Sequence, residues 1–302
     1  MSHQNASIKS ILFALLANLG IAITKTAAAI ITGSGAMLAE SIHSYADCGN
    51  QGLLFWGLRA AKKKPDPEHP LGYGMEIYFW SFIVALILFS MGGLFSIYEG
   101  VHKLHMHEGL KSPVIAIIVL AVSMIFEAAS LIGCLTQVNR IRRRIPLWRW
   151  VRTSRQSELI VVLGEDIAAL LGLSFALLAV VLSVVTGNPI FDAIGSIGIG
   201  ALLIIISFFL AVKVKGLLIG QSADDEARAE IQRQLEARPE IQQVLNLITL
   251  QLGPKIMVAV KAKMSKTNSL SQLVNNINRC EAALKKENPS VQWVFFEPDI
   301  EE

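Results

Sequence analysis

Six apolar runs, at 11–31, 36–58, 75–101, 113–138, 159–185 and 190–212, follow one another with only short breaks between them. Each reaches about 20 residues or more, the length of helix that crosses a bilayer's hydrocarbon layer, so the pattern predicts six membrane-spanning helices. The first run follows Lys9 and is interrupted by Asn18 and Lys25. It exceeds the roughly 7–15 residues of a signal-peptide core and is read as a span rather than a leader. Gly33-Ser34-Gly35 and Gly187-Asn188-Pro189 are turn signals, and Pro113 stands where a proline opens a helix. Pro65, Pro67 and Pro70, followed by Gly72-Tyr73-Gly74, predict an ordered connector between the second and third spans. The connector after the third span holds His102, His105 and His107, read as solvated histidines with a weak metal clip as the rival.

The pattern changes after the sixth run. Ser222 to Asp225 is a capping-box signal that opens an amphipathic helix to about Ala237, and Ser269 to Gln272 opens another to about Lys286. Between them, strands at 244–252 and 255–264 meet at Gly253-Pro254. In the second of these Ile256, Val258, Val260, Ala262 and Met264 alternate with more polar positions. A third strand follows at 291–296. The expected fold is therefore an α-helical membrane protein: a six-transmembrane-helix bundle at 1–216, followed by a small cytoplasmic αββαβ domain at 217–302.

Composition agrees with life in lipid: 53% of residues are apolar, 17% are charged, and the mean hydropathy is +0.50, against a charged fraction of about 25% in soluble domains. Of the formal net charge of +3, residues 221–302 contribute −2 and the remainder +5. The excess is uneven. Thirteen Lys or Arg lie in 59–74, 139–156 and 213–215, whereas 102–112 carries only Lys103 and Lys111. The positive-inside rule then places both termini in the cytoplasm. The segment 139–156, with seven arginines and with Trp148 and Trp150 among them, reads as a cytoplasmic interfacial loop touching anionic lipid, and no nucleic-acid partner is expected. Cys48, Cys134 and Cys280 have no CxxC spacing and read as small buried hydrophobes. The absence of an Arg-rich leader points to a bacterial inner membrane.

The chemistry is concentrated in two spans. On a helix, Glu40, His43 and Asp47 fall within about 60° of one another, so one stripe carries two carboxylates and an imidazole. Each such group costs about 2.5–3.5 kcal/mol at the centre of a membrane helix, and such residues mark ion pathways unless they only tie helices together. The fifth span adds Glu158, Glu165 and Asp166. If the second and fifth helices pack in the interior, His43, Asp47, Asp166 and one oxygen from Glu165 or Glu40 make a four-ligand set. That set suits tetrahedral Zn²⁺ or, with water, Mn²⁺. Glu76, Glu99, Glu127, Asp192 and Lys25 are further ionisable groups in apolar surroundings, read as interfacial or paired, with Lys25 and Glu127 as one candidate pair.

Glu40-Ser-Ile-His43-Ser-Tyr-Ala-Asp47, followed by Pro67-Glu-His-Pro-Leu-Gly-Tyr-Gly-Met-Glu76, resembles the second helix and next loop of the cation diffusion facilitator family of metal transporters. Helix number, topology and tail extend the resemblance over nearly the whole chain. It implies a transport site in which His43, Asp47 and Asp166 match the family's paired ligands on the second and fifth helices. Val162 stands where that fifth helix usually has His or Asp, and Glu165 is the natural substitute. The Glu165-Asp166 pair is similar to the subgroup that contains the ninth mammalian zinc transporter and its bacterial relatives. All six histidines precede the tail, so homodimerisation rather than metal binding is the expected role of that domain. The resemblance implies a transporter and not an enzyme, with no cofactor. It would export zinc, or alternatively manganese, in exchange for protons by alternating access. The rivals are a non-transporting metal sensor or scaffold and a channel.

Overall fold

The computed structural model describes residues 18–106, 111–142 and 145–301. Lys9, residues 11–17 of the first run, His107, Arg143, Arg144 and Glu302 lie outside the described residues. The helices in order are α1 (Asn18–Thr32), α2 (Gly35–Ala60), α3 (Glu76–Ile87), a π-helical stretch (Leu88–Leu94), α4 (Phe95–Met106), α5 (Pro113–Ile141), α6 (Leu147–Thr153), α7 (Ser157–Thr186), α8 (Ile190–Gly220), α9 (Asp225–Glu236) and α10 (Leu270–Glu287). Strands β1 (Ile241–Leu252) and β2 (Lys255–Met264) lie between α9 and α10, and β3 (Val291–Pro298) follows.

Among the described residues, four stretches are long and apolar enough to cross a membrane: Glu76–His105, Pro113–Ile141, Ser157–Thr186 and the helix that starts at Ile190. Helix α2 has the length, at 26 residues, but not the composition. The reason is the chemistry it carries: Glu40, Ser41, His43, Ser44 and Asn50 are all buried on it. The outer faces of the long helices leave Ile125, Phe126, Ile205 and Phe208 more than half exposed, an arrangement that lipid tolerates and water does not.

The chain forms two compact units. One comprises Met1–Trp56, Trp80–Ile145 and Glu158–Lys213; the other comprises Gly57–Phe79, Pro146–Ser157 and Val214–Glu302.

In the first unit the turn between α1 and α2 is held by Asp192 of α8. Its carboxylate accepts from Ser34 Oγ at 2.5 Å, from Gly35 N at 2.7 Å and from Lys103 Nζ at 3.2 Å. Ser34 in turn accepts from Met37 N at 3.1 Å, as a helix N-cap does. The third run is not one regular helix, as periodicity alone would have it. At Leu88–Leu94 the winding widens, and Phe95 N–H donates to Ser90 O, five residues back. Glycines let this segment meet α8 at backbone distance: a Cβ on Gly200 would lie 2.7 Å from Gly93 O. Other boundaries shift as well. Helix α4 carries on to Met106, so His102 and His105 are helical rather than in a connector, with His105 Nδ1 2.8 Å from Val101 O one turn back. Helix α8 continues to Gly220, which places Lys213 and Lys215 on it, and α6 forms inside the basic segment.

In the second unit the sheet order is β1-β2-β3, with β1 and β2 antiparallel and β2 and β3 parallel. Its core is the alternating face of β2, Ile256, Val258, Val260 and Ala262, against Ile231 and Leu235 of α9 and Cys280 and Leu284 of α10. Burial pushes the Cys280 thiol up to about 11, so it behaves as an apolar filler. Ser269 caps α10 through Gln272 N, as the sequence indicates. Helix α9 is capped by Asp224 instead of Ser222, because the Ser222 hydroxyl is engaged with Thr249 Oγ1 at 2.7 Å. Gly253, at φ 62°, turns β1 into β2. That turn meets the connector before α3: Tyr78 Oη donates to Gly253 O at 3.3 Å, and a side chain at Gly74 would strike Leu252 O. Arg155 Nε donates to Ser222 O at 2.8 Å within the same unit.

Candidate functional site

Helix α2 places its ionisable stripe inside the first unit, where Glu40 is fully buried and His43 is 1% exposed. Facing it, α7 brings Glu165 and Asp166, both buried. Between them, with α1 and α5, lies a cavity of about 50 Å³, lined by Asn18, Ile21, Ser44, Asp47, Gln51, Glu127, Ser130, Val162, Glu165 and Asp166. A volume of that size accommodates one water or a bare ion but no organic substrate.

Of the five ligand candidates, the structure brings Asp47, Glu165 and Asp166 to this cavity. His43 stands beside it, with Nε2 3.4 Å from Asp47 Oδ2. Glu40 is placed differently. Its Oε2 is 3.4 Å from Lys25 Nζ of α1, and both side chains are wholly buried. Lys25 therefore pairs with Glu40 and donates to Ser44 Oγ at 2.8 Å, rather than pairing with Glu127. Among the described residues, no three His, Cys, Asp or Glu side chains are already drawn together as a ready metal cage.

Two neutral side chains hold the carboxylates of α7. Asn50 Nδ2 donates to Glu165 Oε1 at 2.6 Å, and Ser130 Oγ donates to Asp166 Oδ1 at 3.1 Å. Several atoms around the cavity are buried with no hydrogen-bond partner among the described residues: both ring nitrogens of His43, Asp47 Oδ1, Asp166 Oδ2, Asn50 Oδ1 and Glu40 Oε1. A buried polar atom left unpaired costs about 1–3 kcal/mol. Such atoms are groups that a cation could satisfy. The donors are one imidazole and several oxygens, a borderline-to-hard set that suits Zn²⁺ and Mn²⁺.

Sequence reading took Glu127 as a partner for Lys25, whereas it lines the cavity from α5, and missed Asn50 and Ser130. The signal for Glu127 was present in its position at mid-run, since an ionisable group deep in a membrane helix is functional by default. Asn50 lies one turn beyond Asp47 on the same helix and gave no signal of its own. Val162 reaches the cavity wall but offers no donor atom, so that wall is apolar.

Residues 11–219 match the family model of the cation efflux transmembrane domain. The chain is 35% identical over 229 residues to the mitochondrial proton-coupled zinc antiporter SLC30A9 of Mus musculus, an alignment that covers 74% of this chain and 40% of that protein. It is 31% identical over 225 residues to metal tolerance protein C4 of Arabidopsis thaliana, covering 74% and 49%. With magnetosome protein MamB of Magnetospirillum gryphiswaldense the identity is 29% over 219 residues, covering 71% and 67%. The chain thus spans less than half the length of SLC30A9 and of metal tolerance protein C4. A family match over most of the chain, apolar helices able to cross a bilayer and paired carboxylates buried among them lead to one conclusion: this is a membrane protein that belongs to the cation efflux, or cation diffusion facilitator, family of transporters and resembles SLC30A9.

Proposed function

We propose that this protein exports a divalent metal cation from the cytoplasm, zinc in the first place, in exchange for protons. The bundle of six spans at 1–216 alternates access to the cavity. The tail at 217–302 lies in the cytoplasm with both termini and serves homodimerisation. The observation that carries this reading is the convergence of Asp47, Glu165 and Asp166 on one ion-sized cavity beside His43. His43, Asp47, Asp166 and Glu165 are the proposed ligands. Glu40, held by Lys25, stands outside the set.

Proton exchange follows from the donors. Carboxylate and imidazole must be deprotonated to bind a metal, so protons arriving at the cavity compete with the ion for the same atoms. Lining residues on α1, α2, α5 and α7 mean that any relative shift of those helices changes the ligand geometry, which is how occupancy and access can be coupled.

Zinc flux into proteoliposomes with an imposed pH gradient tests the reading. Transport should saturate, depend on the gradient and be lost in Asp47→Ala and in Asp166→Ala; flux that survives both substitutions refutes it. Saturable metal binding without gradient-dependent flux points to a sensor, and unsaturable flux to a channel. A specific observation favours manganese as the second substrate: the ionisable groups that line the cavity itself are all carboxylates, with His43 adjacent rather than lining, and all-oxygen sites suit the harder ion. The same assay with Mn²⁺ separates the two.

A further inference from the structure

We infer that Lys25 is a tethered cation that sets how tightly the transport site holds its metal, a role that rests on the proposed function above. Lys25 lies on α1 and is fully buried. Its ammonium donates to Ser44 Oγ at 2.8 Å, and Ser44 is itself a wall of the cavity, so a fixed positive charge stands one hydroxyl away from the place proposed for the ion. The same ammonium lies 3.4 Å from Glu40 Oε2. Glu40 shares the α2 stripe with His43 and Asp47, and without this partner its carboxylate would face the site as a further acidic donor.

The surroundings fix Glu40 in that role. Among the described residues its Oε1 has no hydrogen-bond partner, and it points at Gly172 of α7, where any side chain would collide with it. The glycine leaves room for a carboxylate that Lys25 holds on its other side. A buried ion pair is weak evidence for stability, since an apolar pair of similar volume often holds helices together as well or better. Its position beside the cavity gives it a different task. An ion that must leave in every cycle cannot be bound too tightly, and a neighbouring positive charge weakens its binding while a neighbouring negative charge strengthens it. The two opposite charges of the pair offset one another, so removing either one by substitution changes the field at the cavity. Lys25 is thus a positioning residue: it touches Glu40 and Ser44, not the ion.

The test is Zn²⁺ binding by the full chain in nanodiscs, read by competition with a fluorescent zinc chelator, alongside zinc flux. Lys25→Met leaves the site one charge more negative, and affinity should tighten by about tenfold while turnover falls. Glu40→Gln leaves it one charge more positive, and affinity should weaken by about tenfold. The double variant Lys25→Met/Glu40→Gln restores neutrality and should return affinity to within about threefold of the native chain. Lys25→Arg should keep native affinity, which a purely packing role for the lysine stem does not require. If Lys25→Met does not fold, the contrast between Glu40→Gln and the double variant asks the same question. Affinities that do not follow the order of charge, or a double variant no closer to native than Glu40→Gln, overturn the proposal. If Asp47→Ala abolishes zinc binding while the Lys25 and Glu40 variants leave it unchanged, only this inference fails. If the native chain binds no zinc, the proposed function fails with it.

Discussion

Replacing Asn50 by alanine isolates the contribution of a residue that orients a proposed ligand, Glu165. Its amide donates to Glu165 Oε1 at 2.6 Å inside the first unit, and both residues are buried. A hydrogen bond to a carboxylate contributes about 1.5–3 kcal/mol, and the abandoned acceptor bears the cost. Partners that orient a metal ligand change metal affinity by about 10- to 100-fold when removed, and tenfold corresponds to about 1.4 kcal/mol. The two scales agree. Asn50→Ala should therefore raise the KM for zinc by about 10- to 100-fold in proteoliposomes while kcat stays within about threefold, because the ligands remain and only their aim is lost. Asn50→Gln, one methylene longer, should be intermediate. Thermal unfolding in detergent controls for misfolding. A native-like KM in a folded Asn50→Ala variant would show that Glu165 takes no part in holding the ion, and the geometry argued for α7 would have to be abandoned.

Three further outcomes are expected. Lys103→Met leaves Asp192 with Ser34 and Gly35 as its donors, and because Lys103 is partly exposed the loss in thermal stability should be modest, about 1–3 kcal/mol rather than the full cost of breaking a buried pair. Gly200→Val would push a side chain into Gly93 O and Ile97 and should lower stability by about 1–3 kcal/mol or more, with flux falling in parallel. In the connector before α3, the Tyr73 hydroxyl donates to Asp66 at 2.7 Å, which holds the Asp66 carboxyl below its usual range and pushes the Tyr73 phenol up to about 12. The lowered acid supports the connector above its ordinary pKa of about 4 and fails as pH falls below that; the raised phenol supports it below about 10 and fails as pH climbs toward 12. Hydrogen-exchange protection factors over 66–73, which remove the intrinsic pH dependence of exchange, should accordingly be greatest between those limits, and Tyr73→Phe should remove the alkaline edge.

How much of the fold and site was legible in the sequence differs from residue to residue. Apolar runs longer than a bilayer's thickness located most of the helices, because every backbone group in lipid must be satisfied within its own helix. The stripe Glu40, His43 and Asp47 was readable because helical periodicity fixes which side chains share a face. What periodicity cannot give is the partner across the interface. Lys25 and Glu40 are 15 residues apart in the chain, and Asn50 and Glu165 are 115 apart; such pairs depend on how helices rotate against one another, which local pattern does not encode. The π-helical stretch was invisible for a related reason, since Ser90-Met91-Gly92-Gly93 carries no proline or charge to announce a change of winding. In the tail, Ser222 and Asp224 are both good cap residues, and a hydroxyl contact from β1 decided between them.

The widened turn at Leu88–Leu94 has a consequence for which faces the third span can present. A helix of 3.6 residues per turn keeps one azimuth from end to end, whereas a five-residue hydrogen bond such as that from Phe95 to Ser90 inserts an additional rotation of about 100°. Side chains of α3 and those of α4 consequently obey two different phase settings, offset within a single continuous rod. Removing one residue between Leu88 and Leu94 would bring the halves back into common phase and turn one of them by about 100° against its neighbours. The surplus residue is therefore what lets α3 and α4 each present a face of its own.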